Sequence, residues 1–386
     1  MRTLITAGTV LTPSESIPNG AVLIDDGRIE SVAPRTSLNA SDARVLEFPN
    51  DILAPGFIDL HIHGAAGHDF MQADDDAYRR IGRFLARHGT TSYLPTTVTS
   101  AEDELLPALA AMGNAIASPP QGTETAPWAR PIGIHLEGPF ISDARNGVHP
   151  AAHIQKPSVV ALDRYVKATR GAIRVVTIAP EIPHALAVIR DAVDRGITVA
   201  LGHTNATFEE AQQAIDAGAR HSTHTYNSMR RMIHREPGVV GAILSDHRMY
   251  ADIIADGLHV HPPVVDLFLR CKGRDRAVLI SDATSPTGMP NGSYRLGNFE
   301  VEVDGLRVES HGKLAGSVLT LEVAVQNVMQ YAGWSLADAI RLVTINPAQL
   351  LGLEQKGRID AGADADLVIL SPDGEVRRTF IAGQGI

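Results

Sequence analysis

Short apolar runs alternate along this chain with longer amphipathic intervals. The intervals Asp74 to His88, Asp103 to Ala117, Pro183 to Arg195 and Thr207 to Ala217 have the length and spacing of helices. Eight runs are strand candidates: Ile52 to His61, Thr91 to Thr96, Ile132 to Glu137, Val175 to Ala179, Thr198 to His203, Arg220 to Thr225, Tyr250 to Ala255 and Ala277 to Asp282. Strand and helix in alternation favour a parallel sheet, and eight repeats predict its closure into a (β/α)8 TIM-like barrel.

A doubly wound open sheet has the same alternation and is the competing architecture. Such a sheet usually has a glycine-rich fingerprint after its first strand. The segment His61 to Gly67 contains no G-x-G-x-x-G pattern. The pattern therefore favours the barrel.

The two ends of the chain carry strand patterns of a different kind. Residues Ala21 to Val32 form two strand-like runs around an Asp26-Gly27 turn, which is typical of a hairpin. A similar pattern spans Leu367 to Leu370 and Val376 to Ile381. Because neither half has enough strands to be stable alone, we expect them to combine. The prediction is a small β-sandwich domain from residues 1–52 and 347–386, with the barrel inserted as residues 53–346.

Composition narrows the class of protein. The 386 residues are 44% hydrophobic with a net charge of −10, which argues against binding to nucleic acid or to an anionic membrane. No apolar run is long enough to span a bilayer, and residues Met1 to Gly20 lack a secretion signal, so we expect a cytoplasmic protein. Cys271 is the only cysteine, so any metal site depends on histidine and carboxylate.

The first strand candidate ends in His61-Ile62-His63. Side chains alternate along a strand, so both imidazoles point the same way. Two neutral imidazoles aimed at one place suit a divalent transition metal. The alternative interpretation is a pair of surface histidines at a strand end.

Four more polar residues end other strand candidates. They are at or next to the ends of their strand candidates: Glu137, His203, His224 and Asp282. In (β/α)8 barrels, catalytic residues from several strands meet at the carboxyl-terminal face. The sequence therefore predicts one active site at that face.

With these residues aligned, the chain resembles the amidohydrolase superfamily and, within it, the N-acetylglucosamine-6-phosphate deacetylase family. The resemblance extends from Pro55 to Val368. Its narrower motifs are His135-Leu136-Glu137-Gly138-Pro139-Phe140, Gly202-His203-Thr204-Asn205, His224-Thr225-Tyr226-Asn227-Ser228-Met229, Arg235-Glu236-Pro237-Gly238 and Ala255-Asp256-Gly257-Leu258-His259.

The resemblance implies a metal centre. Glu137, His203 and His224 are the implied ligands of the catalytic ion, and His61 with His63 would hold a second ion bridged by Glu137. One or two divalent ions per subunit are therefore expected, and these ligands accept zinc, iron, manganese or cobalt. No lysine ends the third or fourth strand, which argues against a carboxylated-lysine bridge.

The implied reaction converts N-acetyl-D-glucosamine 6-phosphate into glucosamine 6-phosphate and acetate. Hydroxide generated at the metal would be the nucleophile, with Asp282 as general base and then acid and His149 polarising the acyl oxygen. The alternative for Asp282 is a helix N-cap, but its position at a strand end together with the other candidates favours catalysis. His135 faces the same way as Glu137 one pleat deeper, as a supporting residue or as a packed core histidine.

The resemblance also implies substrate contacts. Arg235 would bind the phosphate, although the same arginine could form an exposed salt bridge. The resemblance implies a homodimer and leaves open whether Arg235 and His259 act in their own site or in that of the neighbouring subunit. The implied contact residues are Val148, His149, Asn227, Ser228, Arg235, His259, Leu314, Ala315 and Gly316.

Other functions remain open at this point. The nearest are an N-acetylgalactosamine-6-phosphate deacetylase and a cyclic-amide hydrolase of the same superfamily. A different class is a non-catalytic scaffold barrel. The presence of Glu137, His203, His224 and Asp282 argues against a scaffold, which has no need of all four.

Overall fold

The computed structural model describes residues 2–38, 41–118 and 127–385. Eight parallel strand positions form a barrel, and the third is interrupted after Pro131. The strands are Phe57–Ile62, Thr90–Pro95, Arg130–Pro131 with Ile134–Glu137, Ile173–Ile178, Thr198–Leu201, His221–Ser222, Ala251–Ile253 and Ala277–Leu279. All eight coincide with the predicted runs, so the barrel prediction is confirmed.

Backbone hydrogen bonds close the barrel between its last and first strands. The Asp282 N–H donates to the His61 carbonyl at 2.9 Å, and the His63 N–H donates to the Ala283 carbonyl at 2.8 Å. The sixth and seventh strands are joined in the same way, since the Tyr250 N–H donates to the Arg220 carbonyl at 2.8 Å. An open sheet would leave its edge strands unpaired.

Helices cover the outside of the barrel. They are Asp75–Arg87, Glu102–Ala117, Val159–Ala168, Ala185–Asp194, Phe208–Asp216, Gly238–Ser245, Pro262–Arg276, Leu321–Ala332, Leu336–Arg341 and Ile345–Leu350. The helix Phe208–Asp216 begins at a capping box, in which the Thr207 hydroxyl accepts from the Glu210 N–H and the Glu210 carboxylate accepts from the Thr207 N–H. In the described part of the chain, no helix is both long enough and apolar enough to cross a membrane.

Strands from both ends of the chain form one continuous sheet, called here the terminal sheet. Its seven strands are Thr3–Leu11, Ser16–Asp25, Arg28–Pro34, Arg44–Pro55, Leu367–Leu370, Val376–Ile381 and Gln384–Gly385. Arg44–Pro55 lies between the two halves, parallel to Thr3–Leu11 and antiparallel to Leu367–Leu370. The predicted Asp26-Gly27 hairpin is present. The limits of the two predicted domains stay a prediction.

One predicted strand is two strands in the structure. Residues 52–55 of the run Ile52 to His61 pair with Leu367–Leu370, and only Phe57–Ile62 enters the barrel. Gly56 separates the two strands at a place with no room for a side chain, because a Cβ there would lie 2.2 Å from the Thr91 methyl. Only glycine fits beside Thr91 here, and the chain passes from the terminal sheet into the barrel at this residue.

A second sheet was not predicted. The strands Gly292–Leu296, Phe299–Asp304, Arg307–Ser310 and Lys313–Leu314 form an antiparallel meander, called here the inserted sheet. Its buried residues Val301, Val303 and Val308 pack together with Val98, which follows the second barrel strand. The inserted sheet therefore lies beside the carboxyl-terminal mouth of the barrel.

Candidate active site

A pocket of about 250 Å³ opens at the carboxyl-terminal mouth of the barrel. Residues from barrel strands, from the loops after them and from the inserted sheet line it. They are His63, Val98, Glu137, Gly147, Val148, His149, His203, His224, Asn227, Ser228, His259, Asp282, Leu296, Lys313, Leu314 and Gly316.

Glu137 stands at the centre of the buried end of this pocket. Its Oε1 is 3.2 Å from His203 Nε2 and 3.0 Å from His224 Nε2. Its Oε2 is 3.3 Å from the Nε2 atoms of both His61 and His63. The two carboxylate oxygens therefore face two separate pairs of imidazoles.

Asp282 completes one of these groups. Its Oδ1 lies 3.4 Å from His61 Nε2 and 3.3 Å from His63 Nε2. The side chains are almost fully buried, and His61, His63 and Asp282 form one candidate metal-binding group, while Glu137, His149 and His203 form a second. All six predicted catalytic and metal-binding side chains from the strand ends therefore meet at one place.

Three of these residues have unusual backbone conformations. His203, His224 and Asp282 have φ angles of 46°, 32° and 49°, in the left-handed region that side chains other than glycine rarely adopt. Each residue follows the end of a barrel strand. Such strained residues tend to occur at functional sites, where the surrounding structure holds them in place.

The Nδ1 atoms of His203 and His63 have backbone partners that orient the two rings. His203 Nδ1 is 2.9 Å from the Arg145 carbonyl and His63 Nδ1 is 3.3 Å from the Thr96 carbonyl. A carbonyl only accepts, so the Nδ1 atoms donate and the neutral rings have a lone pair on Nε2, facing Glu137. This is the arrangement of metal-ligating histidines.

His149 has the opposite tautomer. The Thr99 N–H donates to His149 Nδ1 at 3.1 Å, so Nδ1 accepts and the neutral ring carries its proton on Nε2. That Nε2 is 3.6 Å from Glu137 Oε2 at the wall of the pocket. The Nε2–H of the neutral His149 ring is therefore available as a hydrogen-bond donor to the pocket.

The carboxylates of the site are held in the ionised state. Burial alone would raise the pKa of Glu137 and of Asp282. The surrounding imidazoles, His61 foremost, outweigh burial and hold both pKa values well below their usual range. Two buried anions therefore face the imidazole nitrogens, which is an environment that attracts a cation.

The same charges act on the histidines. Burial lowers the pKa of His63, but hydrogen bonds to Asp282 and Glu137 outweigh it and raise the pKa to about 10. Burial also lowers the pKa of His224, but the hydrogen bond and charge interaction with Glu137 outweigh this effect and raise the pKa to about 9. At His203, burial and the nearby His149 ring lower the pKa to about 4.

Buried polar residues beneath the site hold its strands in register. The Asp59 carboxylate accepts from the His61 N–H at 3.2 Å and from the Ser281 hydroxyl at 2.5 Å, and burial raises the Asp59 pKa to about 6. His135 bonds the Leu60 carbonyl through Nδ1 at 3.1 Å, and its ring centre is 4.6 Å from that of His61. His135 is thus a buried supporting residue of the site.

The outer end of the pocket contains most of the predicted substrate contacts. Val148, His149, Asn227, Ser228, His259, Leu314 and Gly316 line it. Ala315 instead packs into the core of the inserted sheet. Arg235 is exposed, donates to His234 Nε2 at 3.1 Å and lines a separate surface depression with Arg230 and Glu236. Within this chain, Arg235 and the predicted metal ligands are therefore not brought together.

Lys313 is a lining residue that the sequence analysis missed. It lies on the last strand of the inserted sheet, directly before the predicted wall of Leu314 to Gly316. Apolar and polar residues alternate from Phe299 to Asp304, and Asp304-Gly305 follows. This is a strong hairpin pattern, and it could have revealed the inserted sheet.

Comparison with known proteins agrees with this geometry. The model of the amidohydrolase family matches residues 52–386. The chain therefore belongs to the amidohydrolase family.

Individual relatives of the chain have more specific names than the family. N-acetylglucosamine-6-phosphate deacetylase of Lysinibacillus sphaericus is 37% identical over 378 residues, which is 97% of this chain and 95% of the relative. N-acetylgalactosamine-6-phosphate deacetylase of Escherichia coli O157:H7 is 36% identical, over 100% of this chain and 99% of the relative.

A solved structure also matches along its length. The N-acetyl-D-glucosamine-6-phosphate deacetylase of Mycobacterium smegmatis, solved as a mutant in complex with N-acetyl-D-glucosamine-6-phosphate, aligns with a TM-score of 0.92 and 35% identity, covering 100% of this chain and 99% of that one. The resemblance stated from the motifs is confirmed.

Proposed function

We propose that the chain is a metal-dependent deacetylase that hydrolyses the acetamide of N-acetyl-D-glucosamine 6-phosphate to glucosamine 6-phosphate and acetate. The observation that carries this proposal is the meeting of His61, His63, Glu137, His203, His224 and Asp282 at the buried end of one pocket. Full-length similarity to amino-sugar-phosphate deacetylases supplies the substrate class.

The donor set fits a divalent metal. Glu137, His203 and His224 would hold the catalytic ion, and His61 with His63 would hold a second ion through the other oxygen of Glu137. When bound, such an ion lowers the pKa of a coordinated water and polarises a carbonyl. Imidazole and carboxylate accept zinc, iron, manganese or cobalt.

Asp282 and His149 would carry out the proton transfers and the charge stabilisation. Asp282 lies beside His61 and His63 at the buried end of the pocket, where its carboxylate can accept a proton from the attacking water and return that proton to the leaving amine. The His149 Nε2–H can donate to the acyl oxygen as negative charge develops there. The two residues line the same pocket, so one acetamide can reach both.

The sugar phosphate would occupy the outer end of the pocket. Val148, Asn227, Ser228, His259, Leu314 and Gly316 are the proposed sugar and wall contacts, and Arg235 is a proposed phosphate ligand. Because Arg235 is exposed in its own chain beside the exposed Met232 and Ile233, we infer that it reaches the pocket of a second copy in a homodimer. Sedimentation of wild type should then give a dimer.

A direct assay tests the proposed activity. Acetate release is measured from N-acetylglucosamine 6-phosphate and from its galactosamine epimer, and ring opening is measured with dihydroorotate, each before and after chelation and metal restoration. The expected result is metal-dependent release from the glucosamine substrate. Turnover of dihydroorotate alone would instead assign a cyclic-amide hydrolase, and activity unaffected by complete chelation would refute the metal mechanism.

The galactosamine epimer is the second candidate substrate. The relative from Escherichia coli O157:H7 that carries this name matches the whole chain at 36% identity. The two epimers differ only at one sugar hydroxyl, so the ratio of their kcat/KM values decides between them. A charged sugar phosphate does not cross membranes unaided, and we therefore place the enzyme in the cytoplasm.

A further inference from the structure

The charges along the pocket are unevenly distributed. The buried end holds the carboxylates Glu137 and Asp282, and the chain as a whole carries a net charge of −10. A phosphorylated substrate is a dianion near neutral pH, so this field opposes its approach. The phosphate end of the substrate therefore needs a local cation.

Lys313 is the one lysine or arginine among the described residues that line the pocket. Its ammonium donates to the Gly147 carbonyl at 3.0 Å, and no carboxylate among the described residues pairs with it. The ammonium has three N–H donors, so donors remain for a second partner. An exposed cation with spare donors thus stands at the mouth of the pocket.

The position of Lys313 matches the expected position of the phosphate. The acetamide must reach the buried metal-binding residues, which directs the opposite end of the sugar towards the mouth. There Lys313 faces the pocket together with Asn227, Ser228 and His259. His259 Nδ1 donates to the Asp256 carboxylate at 2.7 Å, so this nitrogen already has a partner.

We propose that Lys313 binds the phosphate of the substrate from within the same subunit, and so contributes to selectivity for phosphorylated amino sugars. This inference rests on the proposed deacetylase function. It adds to the Arg235 proposal, because Lys313 already lines the pocket of its own chain whereas Arg235 requires a second copy. Lys313 would also join the inserted sheet to the Gly147 loop that carries His149.

The test compares Lys313→Met, which removes the charge, with Lys313→Arg, which keeps it. The control is Lys167→Ala, which removes a lysine paired with Asp163 on an outer helix and lowers the net charge equally. Acetate release is measured on N-acetylglucosamine 6-phosphate and on unphosphorylated N-acetylglucosamine. Each protein is assayed with matched metal content.

Lys313→Met should raise KM for the phosphorylated substrate about tenfold, with kcat and the activity on the unphosphorylated sugar within about twofold of wild type. Lys313→Arg should restore most of the loss, Lys167→Ala should behave as wild type, and the Lys313→Met effect should persist in an Arg235→Ala background.

Equal losses on both sugars would show that Lys313 only positions the Gly147 loop, and an unchanged KM would show that it does not contact the phosphate. Either result overturns the inference while leaving the deacetylase proposal intact. Failure of the wild type itself to release acetate would overturn the proposed function instead.

Discussion

Replacing Asp282 with asparagine separates proton transfer from metal binding. Asparagine has nearly the same shape and tolerates the φ of 49° at this position better than most residues. The backbone bonds from the Asp282 N–H to the His61 carbonyl and from the Ser317 N–H to the Asp282 carbonyl are unaffected. We therefore expect Asp282→Asn to fold as the wild type does.

The expected loss of activity follows from the chemistry of the side chain. A neutral amide cannot take a proton from water, and loss of general acid–base catalysis costs roughly 10² to 10⁴ in rate, or about 3 to 5 kcal/mol. The Oδ1 contacts of Asp282 are with His61 and His63, so the ion held by Glu137, His203 and His224 should remain. Lower kcat with most of the metal retained is the expected result.

The assay is turnover at matched metal occupancy, with metal measured by elemental analysis of each preparation. An Asp282→Ala variant is assayed beside Asp282→Asn, since alanine lacks both the carboxylate and the amide that replaces it. If Asp282→Asn carries full metal and its kcat is within a few-fold of wild type, Asp282 is not the general base. Its position would then reflect support of the metal site alone.

Three further outcomes can be checked. His203→Ala should abolish turnover and lower bound metal, and full metal with full activity would contradict the ligand assignment. His63 and His224, with pKa values raised to about 10 and about 9 above the ordinary 6.5, stabilise the metal-free fold fully below pH 6.5 and lose that contribution as pH rises through 9 and 10. Urea unfolding of chelated protein should therefore show lower stability at pH 10 than at pH 7, and a smaller difference in His63→Ala. Asp252→Ala should destabilise the protein by about 3 kcal/mol, because it leaves His221 buried without the carboxylate oxygen 3.0 Å away; an unchanged urea midpoint would show that the pair is neutral.

The barrel could be predicted because its strands are buried on both sides. Most of these strands are short apolar runs, and five of the eight end at or beside a polar residue of the candidate site. The contacts of Glu137 with His61 and His203 also followed, since parallel strands of a closed barrel bring their carboxyl ends to one mouth. The hydrophobic periodicity and the order of the strands along the chain were sufficient to predict these features.

Other features depend on contacts that no local pattern contains. The left-handed backbones of His203 and His224 are imposed by the surrounding loops rather than by residue type. The change of sheet at Gly56 results from the Thr91 side chain on another strand. The pocket wall at Lys313 comes from an insertion whose strands pair only with one another, so its place over the mouth is a tertiary property.

The order of strands in the terminal sheet has a consequence for synthesis of the protein. The strand Arg44–Pro55 pairs along one edge with Leu367–Leu370. Because Leu367–Leu370 is synthesised after the whole barrel, that edge stays unpaired until the barrel has left the ribosome. An unpaired edge can pair with other chains. Shortening the chain before Leu367 should therefore harm solubility more than catalytic geometry, and newly made chains should need protection by chaperones for as long as that edge is open.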